Sequence, residues 1–388
     1  MVVLLAIILF SSVLFVCQRE LVERIVIVVL SLWLAYESVF GFMQLLGLAI
    51  SRNTMCPMTG SFTNSGPYGG FLAVCIAVVF AAAWKWRDSG NQHDRILFWL
   101  STVSGCLGIV VLPASMSRAG LIALAVSGVV FALTKTEIKS YLRSHKWLPL
   151  SVVAVSLAIG AGAFCLKKDS ALGRFHIWEM ELRAIADKPL TGHGYGNALG
   201  SYGDAQAEYF EGEERSQERV RIAGCPEYAF NEYLRLGMEF GILGLLLSVA
   251  VIVFGALALF RAKSSLAFGL VAWGTFALAS YPLAVWQLRL LLGVFLGAAV
   301  GLNMKVGKRT RLILASTFIV IATGLMLIWL PENRQRKYAE GKWLEERRFT
   351  NFGIFDGMAD RLAILYPQLR RNFRYLYDYG YALHKECR

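Results

Sequence analysis

The sequence predicts an all-α membrane protein that crosses the bilayer several times. The chain has 388 residues, of which 56% are hydrophobic and 17% charged, and its mean hydropathy is +0.52. Soluble domains carry about 45–50% apolar and about 25% charged residues, because polar residues must cover the core in water. The composition excludes a soluble enzyme, a disordered chain and a disulfide-stapled miniprotein. Two further observations support the same class: the chain has many long apolar stretches, and basic residues are concentrated in every second loop between them.

Ten apolar stretches approach the roughly 20 residues that a membrane-spanning helix needs. The first, MVVLLAIILFSSVLFVC, has neither the basic start nor the small-residue cleavage site of a signal peptide, so we expect a membrane helix there. The first and fifth stretches are short. We expect about ten transmembrane helices, at residues 1–17, 25–49, 67–84, 96–113, 119–134, 147–166, 237–260, 266–283, 288–304 and 312–330.

The basic residues between these stretches predict the orientation. Fifteen Lys and Arg side chains lie in one set of alternating loops, and the other short loops hold only Arg52, Arg118 and Arg289. Positively charged loops favour the cytoplasmic side. We therefore expect residues 167–232 and the C-terminal tail on the opposite side of the membrane.

Two polar segments lie outside the predicted spans. We expect residues 1–330 to form a transmembrane domain, with 167–232 as a large loop between spans 6 and 7. Residues 331–388 form a tail whose apolar spacing predicts two or three amphipathic helices. This tail is shorter than two 34-residue helical-hairpin repeats.

Two arginines are candidates for binding phosphate. Arg118 follows Ser117 in PASMSRAG, at the predicted outer start of a span, and Arg174 lies in GRFHIWEMELRAI. A guanidinium matches phosphate oxygens bidentately, so either residue suits a lipid phosphate or diphosphate. The alternatives are snorkelling to the interface for Arg118 and a solvated helix face for Arg174.

Two further motifs carry polar candidates. His193 lies among the glycines of KPLTGHGYGNALGSY, where it is either a base or a turn residue bonded to its own backbone. In CPEYAFNEYLRLGMEFGILG, Asn231, Arg235 and Glu239 share one helical face. Ionisable groups at the top of a span indicate function, and the alternative is an Arg–Glu pair that neutralises itself.

Other observations limit the chemistry. Glu37, inside LWLAYESVFGF, suits either proton-coupled transport or a structural hydrogen bond to a neighbouring helix. The sequence has no Asp-x-Asp pair, no Walker motif and no paired Cys/His ligand spacing. We therefore expect no metal and no other cofactor, and no nucleic-acid partner.

Four motifs together indicate a family. GSFTNSGPYGGFLA, SMSRAGLIAL, GRFHIW followed by DKPLTGHGYGNALGSY, and AFNEYLRLGMEFGILG resemble the O-antigen ligase family in order, spacing and membrane setting, over residues 35–260. That family also contains O-antigen polymerases and protein O-oligosaccharyltransferases. The tail is similar to the helical, TPR-like tail of some Bacteroidetes members.

The resemblance implies a GT-C-like glycosyltransferase of the bacterial inner membrane, with a large periplasmic loop over its active site. Such an enzyme transfers a glycan from undecaprenyl diphosphate to an acceptor hydroxyl, without metal and with inversion. The implied partners are the lipid-linked glycan donor, membrane lipid, and a lipid A core, protein or glycan acceptor.

The resemblance also assigns residues. Arg118 and Arg174 match the motifs that bind the diphosphate, and four residues are expected to support them: Ser117, Asn231, Arg235 and Glu239. Many members have His-Asn before the span, with that His as the candidate base, whereas this sequence has Phe230. The base is then one of three residues, His193, Glu232 or Glu227, or the chemistry needs only weak base assistance.

Three alternatives stay open. A polymerase that extends O-antigen or capsule repeats uses the same donor and the same chemistry. A secondary transporter of anionic solutes would use Glu37 and Arg118 as intramembrane site residues. A structural scaffold would use the tail to recruit partners.

Overall fold

The computed structural model describes residues 2–53, 56–137, 144, 168–212, 217–224, 226–304, 307–350, 353–370 and 372–387. These residues form an all-helical structure without β-strands, so the all-α prediction is confirmed for them. The helices are α1 (Val2–Cys17), α2 (Arg19–Leu45), α3 (Ser65–Trp86), α4 (Gln92–Val111), α5 (Arg118–Thr134), α6 (Lys168–Asp187), α7 (Ala198–Gly212), α8 (Gln217–Ile222), α9 (Glu232–Arg261), α10 (Leu266–Ala277), α11 (Trp286–Gly301), α12 (Lys308–Thr350), α13 (Met358–Leu369) and α14 (Phe373–Lys385).

Four of these helices are long and apolar enough to cross a membrane: α2, α3, α4 with the turn that follows it, and α9. The apolar helices α1, α5, α10 and α11 are shorter, at 10–17 residues. The predicted span 147–166 lies outside the described residues. A total of about ten spans, and the side of the membrane on which the loops lie, therefore stay predictions.

Helix α3 is the centre of the bundle. It packs against α2, α4, α5 and α10. Of the residues in its most apolar 18-residue segment, 89% are buried. Small residues let α3 and α5 approach most closely. A Cβ on Gly69 would overlap Ser117, and a Cβ on Gly120 would lie 2.6 Å from the carbonyl oxygen of Gly69. Close backbone contact through small residues is typical of membrane helices. It fixes the start of α5 against the start of α3.

A second close pair joins α1 to α11. Gly297 and Gly301 of α11 lie against Ser11 and Ser12 of α1, where a Cβ on either glycine would overlap its neighbour. Helix α9 packs on α10 and α11. A cleft between α1, α9 and α11 results from this arrangement.

Two buried glutamates connect elements of the bundle. Glu23 accepts hydrogen bonds from Ser264 Oγ at 2.9 Å and from Lys85 Nζ at 3.1 Å. The Glu37 carboxylate accepts from the backbone N–H of Ser61 at 2.9 Å and from the Ser61 hydroxyl. The Glu37 carboxylate therefore makes structural hydrogen bonds, although to the loop before α3 and not to a neighbouring helix, as one of its two proposed roles had it.

The tail forms its own small core. The long helix α12 continues across residue 330, through Pro331, and its end packs against α13. Trp343 Nε1 donates to Asp378 Oδ2 at 2.9 Å. Arg374 of α14 pairs with Glu227 at 2.8 Å, which connects the tail to the large polar loop.

Candidate functional site

Arg174 lies on α6, the helix of the polar loop that packs on α9. Its Nη1 donates to the carbonyl oxygen of Ala279 at 3.1 Å, and its guanidinium lies 5.1 Å from the centre of the Phe230 ring. Burial lowers the pKa of Arg174, and the nearby charge of Arg118 lowers it further. A guanidinium still keeps its proton near neutral pH. The positive charge of Arg118 therefore acts on Arg174, although the two residues are 56 positions apart in the sequence.

Arg118 is the first residue of α5, and Ser117 holds it in place. The Ser117 hydroxyl accepts from the Gly120 N–H at 3.2 Å, which caps the helix. The same hydroxyl donates to the carbonyl oxygen of Gly66 at 3.0 Å. Met116 precedes it with φ 53°, in the left-handed region. Ser117 therefore fixes the start of α5, where Arg118 lies; its role in supporting a bound diphosphate stays a prediction.

Three aromatic rings lie beside Arg174. The rings of Tyr228 and Tyr281 stack at 3.9 Å, and Phe230 meets Tyr281 edge-on at 5.4 Å. Burial raises the pKa of Tyr281, and Tyr228 adds to the increase, so the hydroxyl remains a proton donor at neutral pH. Phe230 packs against a cation and a tyrosine.

The start of α9 carries a buried charge cluster. Arg235 pairs with Glu232 at 2.6 Å and with Glu239 at 2.9 Å, and both carboxylates are only 3% exposed. The second oxygen of Glu232 accepts from the Leu283 N–H at 2.9 Å. Asn231 caps the helix, because its side-chain oxygen accepts two backbone N–H groups at 3.0 and 3.1 Å. Arg235 is therefore neutralised by its neighbours, and Asn231 positions the helix start.

The glycine-rich segment binds the backbone of α9 where that helix is broken. Gly241 has φ 71° and ψ −169°, which are not helical. Across this break, His193 N donates to the Met238 carbonyl at 2.8 Å, and Ile242 N donates to the Pro189 carbonyl at 2.7 Å. Gly192 has φ 64°, and a Cβ there would lie 2.5 Å from the backbone of Glu239. The glycines therefore allow close approach of backbone to backbone, within the protein itself.

His193 uses one ring nitrogen in this structure. Its Nε2 lies 2.8 Å from the carbonyl oxygen of Ala184 and 3.8 Å from Asp187 Oδ2. A carbonyl oxygen only accepts, so we assign the ring proton to Nε2. The ring is thus bonded to backbone of α6, nine residues away, and not to the backbone of its own turn, as one of its two proposed roles had it. Its role as a base stays a prediction.

Two charged residues, one buried and one half-buried, were not predicted as site residues. Glu181 of α6 is fully buried, and neither carboxylate oxygen has a hydrogen-bond partner among the described residues. Burial raises its pKa to about 9, and Glu232 adds to the increase. The sequence signal was its place between Trp178 and Ile185 on one helical face. Arg289 lines the cleft, and its signal was a lone cation in WQLRLLLGVFLG.

A cleft lies beside these residues, and it has one polar end and a longer aliphatic part. Its volume is about 780 Å³, within the range of small-molecule sites. Tyr228, Phe230, Glu232 and Tyr281 line its polar end, and aliphatic side chains line the remainder. Within the described ranges, no three His, Cys, Asp or Glu side chains are grouped closely enough to hold a metal ion.

These features define a helical membrane protein with two neighbouring arginines beside an amphipathic cleft. Residues 103–249, less than half of the chain, match the family model described as O-antigen ligase. This region is therefore similar to that family, and the match supports, in general, glycan transfer of the ligase or polymerase type. The matched region contains Arg118, Arg174 and His193, whereas Arg289 and the tail lie beyond it. No curated protein matches the chain.

Proposed function

We propose that this protein transfers a glycan from an undecaprenyl-diphosphate-linked donor to an acceptor hydroxyl, at the periplasmic face of the inner membrane. The observation that carries the proposal is the placement of Arg174, whose Nη1 donates to the Ala279 carbonyl beside the cleft; its pKa is lowered by burial first and then by the positive charge of Arg118. Two like charges that act on each other favour the binding of an anion. A diphosphate suits such a pair in charge and in hydrogen-bonding geometry.

The chemistry needs little more than stabilisation of the leaving group. The acceptor oxygen bonds to the anomeric carbon while the bond from that carbon to the diphosphate oxygen breaks. The electron pair leaves on the diphosphate, where the two arginines stabilise the developing charge. The acceptor proton passes to a base. Attack opposite to the leaving group inverts the anomeric centre, and holding the two reactants in line supplies much of the acceleration.

For the base, we favour Glu232 over the two other candidates. Glu232 lines the cleft, and each of its oxygens keeps a lone pair beyond its hydrogen bond to Arg235 or Leu283. Glu227 also lines the cleft but pairs with Arg374 of the tail. His193 is not among the described residues that line it, and its Nε2 is bonded to Ala184.

Transfer in vitro tests the proposal directly. We expect Arg118→Gln and Arg174→Gln each to lower kcat about 100-fold, which is typical of losing one donor to a developing charge. Arg183→Gln is the matched control, because this arginine lies on the same helix and is exposed; its activity should change less than about twofold. Full transfer by both site variants would refute the diphosphate site.

The same assay separates the base candidates and the acceptors. Glu232→Gln should lower kcat much more than His193→Gln, and the reverse order would assign the base to His193. Supplying lipid A core, protein and free repeat units in turn identifies the acceptor. Extension of the repeat units alone would make the protein a polymerase of the same family.

A further inference from the structure

One side of the last helix is exposed and carries aromatic and basic side chains. Tyr377 and Tyr381 of α14 are 65% and 41% exposed, whereas Tyr375 and Ala382 of the same helix are fully buried in the small core of the tail. Side chains three, four and seven positions apart share one side of a helix. The exposed side, which we name the α14 face, carries Arg374, Tyr377, Tyr381 and Lys385.

The geometry of the α14 face suits a sugar chain. The rings of Tyr377 and Tyr381 have an interplanar angle of 2°, with their centres 6.5 Å apart, and Lys385 Nζ lies 5.4 Å from the centre of the Tyr381 ring. A tyrosine side chain has an apolar ring face and a polar hydroxyl. The C–H groups of a sugar pack on such a ring face, and its hydroxyls bond to the phenol and ammonium groups beside it.

Arg374 connects the α14 face to the cleft. Its Nη2 donates to Glu227 Oε2 at 2.8 Å, and Glu227 lines the cleft together with Glu232. Seven residues of helix, about 10 Å, separate Arg374 from Tyr381. A molecule that reaches Glu232 and leaves the cleft past Glu227 therefore meets the two tyrosines next.

Two other kinds of partner fit the α14 face less well. A helix that lies in a membrane surface keeps its basic residues and its apolar side chains on opposite faces, whereas the α14 face combines them. A stable protein interface buries about 800 Å² on each partner. The exposed parts of two tyrosine side chains supply roughly 200 Å². A saccharide, which binds through a few stacked rings, is therefore the favoured occupant.

We propose that the α14 face binds sugars of a saccharide acceptor, beyond the sugar whose hydroxyl reacts. This assignment rests on the proposed function, in which the acceptor hydroxyl gives its proton to Glu232. In that function the donor is held by its diphosphate at Arg118 and Arg174, whereas the acceptor must reach the base that lines the cleft. The tail thereby contributes to the choice of acceptor.

Saccharide binding to the purified full chain in detergent tests this assignment. The probes are the core oligosaccharide and the repeat-unit oligosaccharide, each released by mild acid from lipids of the producing bacterium, and isothermal titration measures their affinity. We expect at least one to bind, and the double variant Tyr377→Ala/Tyr381→Ala to bind it about tenfold more weakly, since two stacking surfaces are lost. Tyr377→Phe keeps the ring and should retain most of the affinity. Tyr338→Ala, which removes a tyrosine of α12 that is 69% exposed, is the matched control and should bind as wild type does.

Transfer kinetics separate the acceptor from the donor. The double variant should raise KM for the saccharide acceptor about tenfold and leave KM for the lipid-linked donor unchanged. A rise in the donor KM instead would assign the α14 face to the donor glycan and overturn the proposal. Failure of the wild-type protein to bind either oligosaccharide would also overturn it. So would wild-type affinity in a folded double variant, which would leave the face to a protein or membrane partner.

The two proposals fail separately. If both tyrosines are needed for sugar binding but the wild-type protein transfers glycan to no acceptor, the proposed function fails and the saccharide site remains. If transfer proceeds with an unchanged acceptor KM in the double variant, the saccharide site fails and the proposed function remains.

Discussion

Replacing Glu181 by Gln should make the protein less sensitive to alkaline pH. Glu181 is fully buried on α6, and its pKa is raised to about 9 by burial and by Glu232. The folded protein therefore holds a proton on this carboxyl at neutral pH, whereas the unfolded chain, with its pKa near 4.5, releases it. Glutamine has a similar shape, but its side chain does not titrate, so unfolding releases no proton from it.

The magnitude follows from the two pKa values. Between pH 4.5 and 9 the folded state binds one proton more than the unfolded state at this site, so the free energy of unfolding falls as pH rises. Each pH unit costs about 1.4 kcal/mol. At pH 7 the accumulated cost is about 3 kcal/mol. It is nearly absent at pH 4.5 and levels off above pH 9.

Thermal unfolding in detergent between pH 5 and 8 measures this effect. The Tm of Glu181→Gln should rise relative to wild type by several degrees over this range, at about 1–2 °C per kcal/mol for a chain of this size. Glu208→Gln, an exposed carboxylate on α7, should follow the wild-type pH dependence. A constant difference in Tm between Glu181→Gln and wild type from pH 5 to 8 would refute a buried, protonated Glu181.

Two further predictions concern the polar loop and the tail. Gly192→Ala should lower the free energy of unfolding by about 2–3 kcal/mol, because it combines a positive φ with overlap on the Glu239 backbone. The control is Gly203→Ala, where a Cβ meets open space and no such loss is expected. Equal Tm values for the two variants would contradict the reasoning. Arg374→Glu should separate the tail from Glu227 and speed limited proteolysis after residue 350 about 3- to 5-fold, the effect of roughly 1 kcal/mol. Adding Glu227→Arg should restore resistance, and cleavage that remained fast in this double variant would exclude the ion pair as the cause.

Hydropathy located the apolar helices but not their ends. The stretch predicted at 25–49 is a helix from Arg19 to Leu45, because a helix extends into polar flanking residues that a hydropathy window excludes. It ends before Gly47, whose φ is 74°. In the stretch predicted at 266–283, the helix ends earlier, at Ala277. Nearby, Tyr281 precedes Pro282, and a residue in that position avoids helical backbone angles.

The site was predictable in its parts but not in its assembly. Local sequence marked Arg118 and Arg174 as candidate phosphate ligands, and the family resemblance gave them one role. Their proximity depends on two separate contacts, α3 with α5 and α6 with α9, and no local pattern encodes either. Arg289 was counted as a loop charge in the orientation argument, although it lies one turn inside α11. The unsatisfied donor of its guanidinium is visible only in three dimensions.

The broken helix α9 has a consequence for engineering. Its freed carbonyls and N–H groups at Met238, Glu239 and Ile242 are bonded to the backbone of residues 189–194. A chimera that exchanges the polar loop alone would leave these backbone groups without their partners, at a cost of about 1–3 kcal/mol for each one that is buried. Exchange of this loop between related proteins should therefore succeed only when residues 189–194 and 237–242 are transplanted together, as one inseparable unit.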